Sequence, residues 1–124
     1  MEKINSYFLD TYALIEITKE NKDYEKFKGS NNFTGLMNLF ELHYIISRDF
    51  GPDKADKIIE SLKKLLVSMK IEDIKDASRF RVKNVKKKFS YIDCLSYCAA
   101  MNRELKFVTG DKQFNDFEDV EFVK

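Results

Sequence analysis

One proline and four glycines in 124 residues are too few for a long disordered linker. The chain has a single histidine, His43, and two cysteines, Cys94 and Cys98. A zinc site needs more ligands than these, and His43 lies far from both cysteines in sequence. A disulfide between residues four apart in a helical-looking segment has poor geometry, so the cysteines read as reduced, buried thiols of a cytoplasmic protein. There is no long apolar run. The stretch MEKINSYFLDTYALIEI carries Glu2, Asp10 and Glu16, which neither a signal peptide nor a membrane span tolerates. A Walker loop, a Gly-rich dinucleotide turn and a serine elbow are also missing.

What is present suits one ordinary domain spanning residues 1–124. Hydrophobic residues make up 44% and aromatics 14%, enough for a packed core without disulfide or metal staples. The net charge of +1 conceals a split. Residues 1–53 carry six Lys/Arg against nine Asp/Glu, residues 54–88 twelve against five, and residues 89–124 four against seven. A basic middle between acidic ends points to a polyanion contact beside an acidic site, with a solvated helix surface as the alternative.

Periodicity predicts alternating strands and helices. Residues 4–9 read as a strand ending at Asp10, followed by a helix from Thr11 to Glu20 and a short helical piece over 21–28 that stops at Gly29. A brief strand is expected over 32–34, a helix over 38–50, and another over 53–66. Then come a strand over 67–71, helical spacing over 73–88, and a helix from Ser90 to about Glu104. KFVTGD (106–111) reads as a strand ending in Asp111, and 120–123 as a last strand. This order calls for an α/β sheet with helices on both faces.

In open α/β sheets ligands bind beyond the carboxyl ends of strands, where strand order reverses. Asp10 and Asp111 end two strands, and Glu41 and Asp93 are expected in the first turns of two helices that follow strands. Each has an ordinary explanation: Asp10 as a helix cap, Asn38-x-x-Glu41 and Ser90-x-x-Asp93 as capping boxes, Asp111 as an Asx turn. Together, however, four carboxylates in one cleft repel and raise one another's pKa values unless a cation neutralises them. Oxygen-only ligands select Mg²⁺ or Mn²⁺ over zinc. A metal-activated water then points to hydrolysis of a phosphodiester.

The segments YFLDTYALI, NLFELHYII, SYIDCLSYCAA and FVTGDKQF resemble, in order and spacing, the four motifs of PIN domains, with S-x-x-D and T-x-D-x-x-F the most specific. The resemblance covers Asp10 to Phe114. It implies a three-layer α/β/α sandwich with a central, mostly parallel sheet and a Mg²⁺- or Mn²⁺-dependent endoribonuclease. It marks Asp10, Glu41, Asp93 and Asp111 as the metal-site acids, Thr109 and Asn38 as supporting polar residues, and Asp116 as a further acid found in some members. The small size resembles VapC-type toxins, which implies an RNA substrate, a small antitoxin partner and a homodimer. A PIN-type RNA-processing or decay nuclease and a non-catalytic RNA-binding module are the alternatives.

RFRVKNVKKKF supplies Arg79, Arg81, Lys83, Lys86, Lys87 and Lys88 without an acid, so these are candidates for RNA phosphates, with a solvated helix end as the rival reading. His43 is expected to be structural. Tyr12 is expected in the core, with base stacking as the alternative. A receiver domain would need paired acids after the first strand, and an Asp-nucleophile phosphatase an Asp-x-Asp; FLDTY offers neither.

Overall fold

Alternate residues of a strand face opposite sides, and here that alternation sorts two cores. The computed structural model describes residues 5–29 and 31–124, so Ile4, the first residue of the expected strand, lies outside the described residues. Strands β1 (Ser6–Leu9), β2 (Asn31–Phe33), β3 (Lys106–Thr109) and β4 (Val120–Phe122) form one parallel sheet in the order β2-β1-β3-β4. Phe8 pairs with Phe107 and Leu9 with Val108. Phe8 and Phe107 face one layer; Leu9 and Val108 face the other.

Helices α1 (Thr11–Thr18), α2 (Leu36–Phe50) and α3 (Pro52–Leu62) cover the Leu9 side through Ala13, Leu14, Leu39, Leu42, Ile46 and Ala55. Helices α4 (Ile71–Lys83) and α5 (Tyr91–Asn102) cover the Phe8 side through Ala77, Cys94, Cys98 and Ala99. This is the expected three-layer α/β/α sandwich with a parallel sheet. Both cysteines are free and buried, and burial pushes the Cys98 thiol up to about 12, so neither is a ready nucleophile. Among the described residues no helix is long and apolar enough to cross a membrane.

The Phe8 side is dominated by rings. Phe114 is fully buried, stacks on Phe89 with centroids 4.4 Å apart and meets Phe107 edge-on at 4.9 Å. Burying one such ring stabilises the fold by roughly 2–3 kcal/mol. Phe114 ends a 3-10 turn, Lys112–Phe114, that starts immediately after Asp111, so the core holds that acid's backbone in place.

Four expected elements differ. The piece over 21–28 is a 3-10 helix, Lys22–Phe27, ending before Gly29 with its φ of 80°. The helix expected to run through 66 ends at Leu62 and continues as a 3-10 turn, Lys63–Leu65. The strand expected over 67–71 does not form; a single parallel bridge, between Thr34 and Leu66, lies just before it. The Thr34 N–H donates to the Leu65 carbonyl and the Val67 N–H to the Thr34 carbonyl, both at 2.9 Å. Beyond it, Asp73 accepts the Lys70 N–H at 2.8 Å and draws the chain into α4 two residues earlier than expected. That helix stops at Lys83 rather than 88, because the Asn84 side chain donates to the Phe80 carbonyl at 2.8 Å. Val85 therefore lies outside the helix and is exposed.

Asp73 is buried and grips α5 by a two-pronged bond. Arg103 donates to both its oxygens at 2.8 Å, and Asn102 adds a third bond at 2.9 Å. Arg103 beside it, opposed only partly by burial, holds the Asp73 carboxyl well below the usual carboxylate range. The unfolded carboxyl titrates near ~3.9, so this contribution is full above that pH and is lost as acid approaches the lower folded value. Arg103→Ala, which strands a buried carboxylate, should lower unfolding free energy by about 3 kcal/mol in urea titrations at pH 7, and by progressively less below pH ~4.

Candidate active site

Strand order reverses between β1 and β3. After β1 the chain crosses to β2 on one side and returns to β3 on the other. The cleft at their carboxyl ends receives the residue after each strand. Asp10 follows Leu9 directly, and its N–H continues the pairing by donating to the Val108 carbonyl at 3.2 Å. Asp111 follows Thr109 by two residues. Thr34, fully buried on the β2 side, donates its hydroxyl to the Leu9 carbonyl at 2.8 Å and fixes the exit of β1 from the opposite flank.

Asp10 caps α1, with Oδ1 accepting the Ala13 N–H at 2.8 Å, and only 6% of the residue is exposed. Burial is the largest influence on its carboxyl. Hydrogen bonds from the Thr109 hydroxyl and the Ala13 N–H oppose it, and the charges of Asp93 and Asp111 add to it, leaving the pKa at about 7. Thr109, itself fully buried, also accepts the Asp111 N–H at 3.0 Å, so one hydroxyl ties together the two acids that end β1 and β3.

Asp93 is the third residue of α5 and closes a capping box. It accepts the Ser90 N–H at 2.9 Å while its own N–H donates to Ser90 Oγ at 3.0 Å. Burial raises its carboxyl above the ordinary value, the Ser90 bonds oppose this, and the Asp111 charge adds to it. Asp111 caps the 3-10 turn by accepting the Gln113 N–H at 3.0 Å. The ordinary cap readings of Asp10, Asp93 and Asp111 are therefore all true. They are not exclusive, because a carboxylate accepts about four bonds and a cap takes one or two.

Glu41 differs from its expected position. Helix α2 begins at Leu36 after Gly35, so Glu41 stands in the second turn and Asn38 is an interior residue rather than a cap. Asn38 is 2% exposed and turns inward. Its Nδ2 donates to Ser96 Oγ at 2.9 Å and to Thr11 Oγ1 at 3.2 Å, and Thr11 in turn donates to Glu41 Oε1 at 2.5 Å. Ser96 returns a bond to Asn38 Oδ1 at 3.1 Å. This closed polar relay joins α1, α2 and α5 and aims Glu41 from the side. Gly35 leaves room for it, since a Cβ there would stand 2.9 Å from Asn38 Oδ1. Neither Thr11 nor Ser96 was singled out from sequence. Both lie inside the motif segments, Ser96 one helical turn past Asp93, which is the signal that could have found them.

Asp10, Asp93 and Asp111 thus share one field, with Glu41 beside them through Thr11. Among the described residues none of the four has a Lys, Arg or His within ion-pair distance. No three His, Cys, Asp or Glu side chains among the described residues converge closely enough to clasp an ion directly. The donor set still fits Mg²⁺ or Mn²⁺, which favour oxygen and retain several waters that can bridge to carboxylates.

Of the supporting positions, Asp116 lies exposed in the turn beyond Phe114. His43 bonds Asp56 at 2.7 Å and Ser47 at 3.3 Å, joining α2 to α3 as a structural residue. In the basic segment, Lys87 donates to the Gln113 carbonyl at 2.9 Å and the Lys88 N–H to Gln113 Oε1 at 2.6 Å, which brings this turn against the one that follows Asp111. Arg81 lies over the Tyr91 ring at 4.1 Å. Arg79 pairs with Asp76 instead, and Lys83 and Lys86 are exposed.

A sequence model of the PIN domain matches residues 7–120. No curated protein sequence matches the chain. Among solved structures, the fold is similar to a toxin-antitoxin complex from Klebsiella pneumoniae, with TM-score 0.76 and 14% identity over 94% of this chain and 96% of that one. It is also similar to the sarcin-ricin loop cleaving toxin VapC20 of Mycobacterium tuberculosis, with TM-score 0.73 and 16% identity over 93% and 98%. A DNA-bound VapBC from Salmonella typhimurium gives TM-score 0.74 and 18% identity over 95% and 96%. At these identities the likeness carries the fold.

Two outcomes follow from the geometry. Between pH ~4, where the unfolded Asp10 carboxyl ionises, and about 7, the folded chain holds a proton that the unfolded chain has lost. Without divalent metal, rising pH therefore costs stability across that window. Asp10→Asn should flatten the dependence and raise Tm at pH 7.5 in thermal melts. Separately, a Cβ on Gly110 would stand 2.1 Å from Tyr12 Cε1. Gly110→Ala should therefore displace the ring or the Asp111 backbone and cost about 1–3 kcal/mol in urea unfolding.

Proposed function

The chain belongs to the PIN-domain family, and from that premise we propose that it is a metal-dependent endoribonuclease acting as the toxin of a toxin–antitoxin pair. The observation that carries the reading is the state of Asp10. It is 6% exposed, and burial, with the charges of Asp93 and Asp111 beside it, works against its charged form, whereas the helix cap it makes contributes only ~1 kcal/mol. A serine or threonine would cap α1 without that cost. A carboxylate kept there, beside Asp93 and Asp111 and without a cationic side chain, fits a site completed by a divalent cation.

Asp10, Asp93 and Asp111 would hold Mg²⁺ or Mn²⁺ with waters bridging the ion to the carboxylates that do not reach it, and Glu41 would complete the set. When bound, the metal supplies activation of a water for in-line attack on the phosphodiester and offsets charge on the leaving oxygen. Thr109 keeps Asp10 and Asp111 in register by donating to one and accepting from the backbone of the other. The Asn38–Ser96–Thr11 relay restricts Glu41 to one direction. Lys87 and Arg81 lie on the flank from which an RNA backbone could approach Asp93 and Asp111, and the remaining cations of the 79–88 segment extend that flank.

Support for the toxin role comes from the structural neighbours, which include a toxin–antitoxin complex and a sarcin-ricin loop cleaving toxin. A small antitoxin and a second copy of the chain are the proposed partners, and the cytoplasm the proposed compartment. Asp10→Asn and Asp93→Asn should each lower RNA cleavage by at least about a hundredfold, beyond the ~10–100-fold usual for residues that only support metal ligands. EDTA should abolish cleavage and added Mg²⁺ or Mn²⁺ restore it. Unchanged cleavage by a folded variant rejects the scheme.

A further inference from the structure

An acidic site faces a difficulty with its own substrate: the carboxylates that attract a cation repel the phosphate that must come beside it. Affinity that does not depend on charge is therefore valuable next to the acids. Building on the nuclease reading above, we propose that Tyr12 is a stacking platform for an unpaired nucleobase beside the scissile phosphate.

Tyr12 is the second residue of α1, two past Asp10. Its ring is set against the Gly110 backbone, between Thr109 and Asp111, so closely that a Cβ on Gly110 would stand 2.4 Å from Cζ. The ring is thus held at the mouth of the acidic cleft. The neighbouring Tyr24, its ring 6.5 Å away, is fully buried. Tyr12 instead keeps 39% of its surface exposed, which overturns the expectation that it belongs to the core.

A groove of about 390 Å³ opens beside it between α1 and α2, walled by Ile45 and Phe50, by the cations Lys19, Arg48 and Lys54, and by the acids Glu16 and Asp49. That is room for a base with cations for its flanking phosphates. Asp49 takes up the Arg48 charge, and Lys54 lies over the Phe50 ring at 4.2 Å, so Lys19 and Lys54 supply the positive charge beside the groove's aromatic surface, the combination single-strand binders use. Stacking of this kind requires an unpaired base, because bases within a duplex already use both faces.

The test uses the full chain and short labelled single-stranded RNAs in which one abasic position is walked along the sequence. Affinity is read by fluorescence polarisation with Ca²⁺ in place of Mg²⁺ to slow turnover, and KM and kcat are read with Mg²⁺. One abasic position should weaken wild-type binding about fivefold to a hundredfold. Tyr12→Phe should match the wild type. Tyr12→Leu, which still covers Gly110, should weaken the intact RNA by a similar factor, raise KM with kcat kept, and become indifferent to that abasic position. Wild-type behaviour of Tyr12→Leu, or an unchanged response to the missing base, overturns the proposal. Cleavage insensitive to Tyr12 rejects stacking alone, whereas Tyr12-dependent binding without cleavage rejects the nuclease reading alone.

Discussion

The parallel pairing of β1 with β3 is the constraint on which the rest depends. Registering Leu9 on Val108 places the carboxyl ends of two strands side by side, although a hundred residues of chain separate Asp10 from Asp111. The pairing continues one step past the strand through the Asp10 N–H. Helix α1 can then start only at Asp10, and Thr109 can reach both acids. A slip of one residue would exchange the Phe8 and Leu9 faces and lose both cores. The apolar layers thus hold the register, and the register holds the acids.

That arrangement opposes two free energies. The site gathers like charges in a desolvated place, which destabilises the fold. The aromatic cluster around Phe89, Tyr97, Phe107 and Phe114 offsets this from directly beneath. Phe114 belongs to both, as a core ring three residues beyond Asp111. The buried Asp73–Arg103 pair serves elsewhere as a fully bonded counterpart: the same residue type as Asp10, but pushed down because a guanidinium meets it, where desolvation pushes Asp10 up. The contrast separates a structural carboxylate from one kept unpaired.

Much of this was legible in the linear sequence. The strand-ending positions of Asp10 and Asp111 follow from apolar runs that stop at an acid, and the Ser90–Asp93 box from its spacing. What misled was local pattern without partners. Asn38-x-x-Glu41 has the spacing of a capping box, yet Gly35 starts the helix and Asn38 serves Thr11 and Ser96 from other elements. Residues 67–71 have strand-like composition, but pairing stops at Leu66 and Asp73, held by Arg103 thirty residues on, starts α4 at Ile71. Tyr12 looked like core material because aromatic residues usually are; its exposure depends on how Gly110 approaches it.

By itself, the sequence determined the alternation of strands and helices, the two-sided sheet, and that Asp10, Asp93 and Asp111 stand at element boundaries. These are consequences of residue type and periodicity, and both act over a few neighbours along the chain. Only the tertiary structure decided that Asp10, Asp93 and Asp111 feel one another's charge, that Glu41 is steered by a relay from three helices, and that no cationic side chain among the described residues pairs with them. Desolvation and Coulomb interaction depend on distance in space, and spacing along the chain does not encode that distance until the strands have paired.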